Sequence, residues 1–295
     1  MKYLIASVIL ALCIPAALHA QQDFSQVVIR TEKITDDLYA LYGSGGNIGV
    51  LAGEDGFVLV DDQFAPLSDK IKAALAEIGP GAVNYTINTH YHYDHAEGNQ
   101  VFGPEGALIV AHANTRTRLM QDNTIGLPGR EPTLQKAYPR EAWPKVTFDN
   151  AVVLHLNGQT IRIFHPGNAH TDTDAIIYFE EANVMHTGDV YVRYGIPFID
   201  GGNGGSYGGM IAAMNTIIDL ADDDTVIIPG HGELAGKQDM IDFRDMLQDI
   251  WDQVAAGKKA GKSLENIQAE DPTQKYQGGN MGQYVIGLIF EELGE

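Results

Sequence analysis

Residues 89–95 read Thr89-His90-Tyr91-His92-Tyr93-Asp94-His95, and four of these side chains are of the kinds that bind transition metals. Just upstream, Val83-Asn84-Tyr85-Thr86-Ile87-Asn88 is rich in β-branched and apolar residues. That pattern predicts a buried strand delivering the cluster to a loop. A metal-type cluster at a strand end is held by a rigid element, so the rest of the chain is weighed by whether it brings more ligands to the same place. Three segments qualify. His170 follows the turn-rich Pro166-Gly167-Asn168-Ala169, Asp189 ends His186-Thr187-Gly188-Asp189, and His231 sits in Ile228-Pro229-Gly230-His231-Gly232. Each follows a predicted strand, and each has glycines that let the backbone bend tightly.

The predicted elements fit that reading. Strands are expected at 27–30, 38–42, 48–52 and 57–60, with a hairpin turn at Glu54-Asp55-Gly56. An amphipathic helix over 67–78 has Ile71, Leu75 and Ile78 on one face, with Ser68 as its cap and Gly79-Pro80-Gly81 as its stop. Strand, helix and strand over 57–88 favour a parallel pair. A further strand spans 107–111 and a short helix 114–120. Asn157-Gly158 joins strands at 152–156 and 159–163, a strong hairpin signal. Strands at 175–179 and 183–186 precede a helix at 207–220 and a strand at 225–228, and the C-terminal part is helical over 237–256, 263–269 and 283–293. Residues 122–143 show no clear period, and loops this long are usually functional or mobile. The order suits a layered α/β sandwich with the site along one edge. With no linker rich in Pro, Ser or charge, residues 21–295 are expected to form one domain.

Composition narrows the function. The formal net charge is −20, so a phosphate backbone is repelled and nucleic acid is not an expected partner. Met1-Lys2, the apolar run 3–18 and Leu18-His19-Ala20 read as a signal peptide cut after Ala20. The mature protein is therefore expected in the periplasm or outside the cell, with no membrane attachment. Cleavage removes Cys13, the only cysteine, which excludes thiol catalysis and thiolate ligation. Imidazole and carboxylate suit zinc. Seven candidates, His90, His92, Asp94, His95, His170, Asp189 and His231, exceed what one tetrahedral zinc with an open position can use. They suffice for two zinc ions sharing a carboxylate, which can together hold a hydroxide and polarise a substrate oxygen.

On these residues the chain resembles the metallo-β-lactamase superfamily. His90-Tyr91-His92-Tyr93-Asp94-His95 matches that family's HxHxDH motif, and the segments around His170, Asp189 and His231 match its later motifs in order. The resemblance covers roughly residues 35–235 and implies a four-layer αββα sandwich. It also implies that His90, His92 and His170 hold a first zinc, that Asp94, His95 and His231 hold a second, and that Asp189 bridges. Asp61 matches an acidic residue that orients the HxHxDH loop. The most familiar lactamase subclass carries Cys where this chain has Asp189 and lacks a His at the position of His95. The ligand set here is similar to that of glyoxalase II-like hydrolases, lactonases and phosphodiesterases.

The resemblance and the export segment together imply a zinc hydrolase acting on a small molecule, first of all on a β-lactam-type cyclic amide. The alternatives are a lactone, ester or thioester on the same core, with Tyr194 as the oxyanion donor, and an iron-dependent persulfide dioxygenase. Asp94 and Tyr194 are the expected catalytic side chains. Arg193 is a candidate for a substrate carboxylate and Asn203 for an oxyanion. Tyr91 and Tyr93 are expected to pack the loop, and Asp172 and Asp174 to shape the turn around His170. His112, His155, His165 and His186, away from the motif's ligand positions, are expected to be structural or at the surface.

Overall fold

Strand alternation builds the layers of the protein, seen here in a computed structural model that describes residues 23–294. The expected export segment lies outside the described residues. In chain order the strands are β1 (Arg30–Lys33), β2 (Leu38–Tyr42), β3 (Ile48–Leu51), β4 (Phe57–Val60), β5 (Val83–Ile87), β6 (Leu108–His112), β7 (Asn123–Ile125), β8 (Thr133–Gln135), β9 (Val146–Phe148), β10 (Ala151–Leu156), β11 (Gln159–Phe164), β12 (Ile176–Phe179), β13 (Val184–Gly188) and β14 (Val226–Pro229). The first six and β9 form a seven-stranded sheet, β10 to β14 form a five-stranded sheet, and β7 pairs only with β8. In β4, Val58 and Val60 face the second sheet, where they meet Ile161, Ile177 and Phe179. Their neighbours Phe57 and Leu59 face the other way, onto Ile71 and Leu75 of helix α1 (Ser68–Ile78). In β12, Ile177 faces inward while Ile176 joins the helices of the far side. Each fully buried aliphatic side chain contributes roughly 1.5–3 kcal/mol, so this two-sided burial is what fixes the strands between layers.

The remaining helices are α2 (Tyr93–Ala96), α3 (Asn99–Phe102), α4 (Ala113–Leu119), α5 (Tyr207–Leu220), α6 (Lys237–Lys259), α7 (Leu264–Glu270) and α8 (Gly279–Glu292). Met210 and Ile217 of α5, Leu247 and Ile250 of α6, and Val285 and Ile289 of α8 cover the outer face of the second sheet. The result is the αββα sandwich. β4 and β5 pair in parallel across α1, as the sequence predicts, and β13 and β14 pair in parallel across α5. Asp61, the HxHxDH segment, Asp189 and His231 follow the C-terminal ends of β4, β5, β13 and β14, and so lie along one edge.

Three local expectations are corrected. The first strand begins at Arg30, not at 27, because the chain at Val27 is still in a turn closed by its N–H on the Phe24 carbonyl. Ser68 does not cap α1. Pro66 starts a 3-10 turn over Ala65–Leu67, which moves Ser68 into the helical run, where its Oγ donates to the Ala65 carbonyl at 2.8 Å. Residues 122–143 are not structureless, since they contain the β7–β8 hairpin. Asn123 ties it down by donating to the carbonyls of Arg118 and Gln121 at 2.7 and 2.9 Å. The turn at Asn157-Gly158 is as predicted, with φ of +50° and +78°, the left-handed pair a two-residue hairpin needs.

Candidate metal centre

The loop after β5 turns at once into α2, and this brings His90, His92, Asp94 and His95 over the ends of both sheets. All seven candidate ligands meet there. The ligand atoms of His90, His92 and His170 lie within 4.8 Å of one another, as do those of Asp94, His95 and His231. Asp189 stands between the groups. Its Oδ1 is 3.2 Å from His95 Nε2 and 3.4 Å from His231 Nε2, and its Oδ2 is 3.6 Å from His170 Nε2. Two glycines make room for this. A Cβ on Gly230 would come within 2.0 Å of Asp189 Oδ1, and one on Gly46 within 2.2 Å of the His95 ring.

Each of four imidazoles has one nitrogen facing the cluster and the other held from behind. His95 Nδ1 is 2.7 Å from Asp61 Oδ2, His92 Nε2 is 3.0 Å from Asp200 Oδ2, and His170 Nδ1 donates to the Phe198 carbonyl at 2.8 Å. His90 Nδ1 is 2.9 Å from Thr89 Oγ1, which donates in turn to Asp61 Oδ2 at 2.7 Å. These bonds fix the proton on the outer nitrogen and leave the inner lone pair for a cation. Asp61 also accepts from the Thr89 N–H at 2.7 Å, and it does so from a left-handed backbone, φ +63°, unusual for an aspartate inside a fold.

Asp200 is a residue of the site that sequence reasoning missed. It is buried and accepts from Tyr91 Oη at 2.9 Å and Asn203 Nδ2 at 2.8 Å as well as from His92. Tyr91 therefore does more than pack the loop. Arg118 extends the network, forking onto Asp172 at 3.0 and 2.7 Å and donating to Asn203 Oδ1 at 2.7 Å. Asn203 is not an oxyanion donor, because its amide is spent on Asp200 and on the Thr124 carbonyl. Asp174 shapes the His170 turn as expected, accepting from the Thr171 N–H and hydroxyl. His186 is buried and structural, facing the Asn47 carbonyl at 3.1 Å.

The charge balance of the cluster is that of a cation site. Burial, helped by the neighbouring imidazoles, holds His90 well below the ordinary histidine range and His170 down to about 4. Burial also opposes charge on His95 and His231, but the carboxylates of Asp189 and Asp94 outweigh it and raise both. Burial would raise Asp189, and the facing His231 and His95 instead hold it well below the usual carboxylate range. Imidazolium charge thus stands where buried carboxylates need a cation. Within the cluster, the buried His90 Nε2 has no hydrogen-bond partner among the described residues, and Asp189 Oδ1 has only the ion-pair approaches of His95 and His231 at 3.2 and 3.4 Å. Atoms left like this inside a nitrogen and carboxylate donor set fit a bound metal ion.

The cluster opens into a pocket of about 100 Å³, lined by His92, Asp94, His170, Asp189 and His231 and walled by Tyr93, Ile125, Leu127, Tyr194 and Phe198. The ring of Tyr194 lies 5.8 Å from that of His231. Its Oη accepts weakly from the Phe198 N–H at 3.5 Å. The residue is about half exposed, at 51%, yet the packing around its hydroxyl and the nearby Asp189 raise its pKa. Arg193 does not line the pocket. It donates to the Leu234 carbonyl at 2.9 Å and faces Asp239, which corrects its candidacy as a substrate anchor.

Residues 41–231 match the family described as the metallo-beta-lactamase superfamily. The chain belongs to this superfamily. Among curated relatives, the coenzyme F420H(2) oxidase of Methanothermobacter marburgensis is 24% identical over 162 residues, 53% of this chain and 37% of that protein. The chain thus spans little more than a third of that relative's length. Among solved structures, DIM-1 metallo-β-lactamase matches with a TM-score of 0.58 at 15% identity, over 75% of this chain and 99% of that one. The sec-alkyl sulfatase PisA1 matches with a TM-score of 0.65 at 15% identity, over 82% of this chain and 45% of that one. At these identities the structural likeness speaks for the superfamily fold alone.

Proposed function

We propose that this chain is an exported two-zinc hydrolase of uncharged carboxylic esters and lactones. His90, His92 and His170 would hold one ion, Asp94, His95 and His231 the other, and Asp189 would lie between them. Bound there, the ions would supply an activated water and polarise the substrate carbonyl. The chain's own residues do the rest. The apolar walls seat the acyl group and exclude bulk water. Asp94, part of the second ligand group and reaching the pocket, takes the proton of the attacking water and returns it to the leaving oxygen. Tyr194 donates a hydrogen bond to the carbonyl oxygen as negative charge develops on it.

The observation that carries this reading is the place of Tyr194, a neutral hydroxyl donor that lines the pocket beside His231 and Asp189. A β-lactam amide would undergo the same attack with nitrogen leaving, and the similarity to an oxidase brings in redox chemistry, such as that of an iron-dependent dioxygenase, as a competitor. Metal analysis followed by an aryl ester, a lactone and a chromogenic cephalosporin separates the three. We expect two zincs per chain, ester and lactone turned over faster than the cephalosporin, and a loss in kcat of about 100-fold for Tyr194→Phe. Iron in place of zinc, or a faster cephalosporin, would overturn the proposal. The apolar N-terminal run supports export, which cell fractionation tests.

A further inference from the structure

Arg118 stands on α4 and does not line the metal pocket, yet its hydrogen bonds lead to a metal ligand in three steps. Its Nη1 donates to Asn203 Oδ1 at 2.7 Å, Asn203 Nδ2 donates to Asp200 Oδ2 at 2.8 Å, and the same Asp200 oxygen lies 3.0 Å from His92 Nε2. The guanidinium also lies 5.5 Å from the centre of the Tyr91 ring, and Tyr91 Oη donates to that same oxygen at 2.9 Å. Both side chains that hold Asp200 from behind, Asn203 and Tyr91, therefore rest on Arg118. The arginine is itself fixed, because its Nε and Nη2 fork onto Asp172 at 3.0 and 2.7 Å.

Asn203 is 7% exposed, and its amide can face only one way. Its Nδ2 serves two acceptors, Asp200 Oδ2 and the Thr124 carbonyl at 2.9 Å, so both amide protons are used. The carbonyl end must then meet a donor, and Arg118 supplies it. Without Arg118 that buried oxygen is left unsatisfied. Turning the amide over to satisfy it would set an oxygen against the Asp200 carboxylate and remove the bond that aims Asp200 at His92. The second ligand group has a different brace. His95 leans on Asp61 at 2.7 Å, whereas the hydrogen bonds of the Arg118 side chain go to Asp172 and Asn203.

We propose that Arg118 is a positioning residue for the first ligand group: it aims His92 through Asn203 and Asp200, and so sets how tightly the ion of His90, His92 and His170 is held. The inference rests on the two-ion part of the proposed function and not on the substrate. Stepwise zinc binding, measured against a chromophoric chelator, tests it without turnover. Arg118→Met should weaken one of the two ions about tenfold and leave the other unchanged. The same substitution on an Asp200→Asn background should cost little further, because the carboxylate that Arg118 aims is already gone. An arginine that merely stabilises the fold would cost the same in both backgrounds. Equal costs in the two backgrounds, a loss shared by both ions, or no loss at all overturns the proposal. If Arg118→Met does not fold, judged by circular dichroism, Arg118→Lys takes its place, since it keeps a cation beside Asp172 but not the planar fork. It should lose affinity for the same ion, and unchanged binding overturns the proposal. A wild type that binds no zinc removes the two-ion reading and this inference with it. A wild type that binds two zincs and shows the selective loss, but hydrolyses no ester, supports the inference, and only the ester reading falls.

Discussion

Asp200 does for His92 what Asp61 does for His95: a buried carboxylate holds the outer nitrogen so that the inner one faces the cluster. Removing such a carboxylate leaves the ligand in place but less basic and less well aimed, whereas removing the ligand takes away a donor. Asp200→Asn should therefore weaken metal binding by about 10–100-fold, measured against a competing chelator, while turnover recovers at saturating zinc. His92→Ala should lose both metal and turnover, and activity that survives complete removal of zinc would sink the two-ion reading. The contrast also shows what the sequence displays. The seven cluster residues are legible because metal ligands recur in short motifs at strand ends. Asp200 and Arg118 are not, because what ties them to the site is a contact through space: Asp200 lies 108 residues from His92. Arg193 and Asn203 looked functional by proximity in sequence, and hydrogen bonds to other partners remove them from the reaction.

At the level of elements, α4 shows how a histidine away from the centre serves the fold. His112 ends β6 and caps α4, its Nδ1 accepting from the Asn114 N–H at 3.3 Å, and its ring stacks on His165 at 4.2 Å. Burial, with His165 alongside, lowers its pKa from 6.5. The unfolded chain then binds more protons than the folded one just below pH 6.5, so stability is present above that pH and is lost as pH falls through it. Chemical denaturation across pH 5–8 should show this slope, and His112→Asn, which keeps a capping side chain, should make it shallower while the buried His90 and His170 keep their share. A slope unchanged by the substitution would remove His112 as its source. The pattern of apolar residues foretold most strands and helices because two-sided burial writes a strict alternation. It failed over residues 122–143, where the hairpin is held by the Asn123 and Gln135 amides bonding to main-chain carbonyls, and that signal has no period.

For the whole molecule, 39 acidic side chains against 19 basic ones make self-repulsion the leading long-range electrostatic effect. Raising salt from about 0.01 to 0.15 M shortens the screening length from about 30 to 8 Å, which weakens surface ion pairs and the net repulsion together. With this imbalance the repulsion dominates, so calorimetry should show Tm rising with sodium chloride; a fall would mean that the surface pairs matter more. The αββα layering was legible from element order because parallel strand–helix–strand units leave few other ways to bury both faces of two sheets. The position of Asp189 between two ligand groups adds a consequence at this scale. His90, His92 and His95 hang from the first sheet, and His170, Asp189 and His231 from the second, so any ions bound among them would fasten the halves like a clasp. By reciprocity, whatever binding energy the ions contribute to the closed sandwich is energy the sandwich must lose to release them. The reagent that empties the site is then also the one that loosens the barrier between folded and open chain.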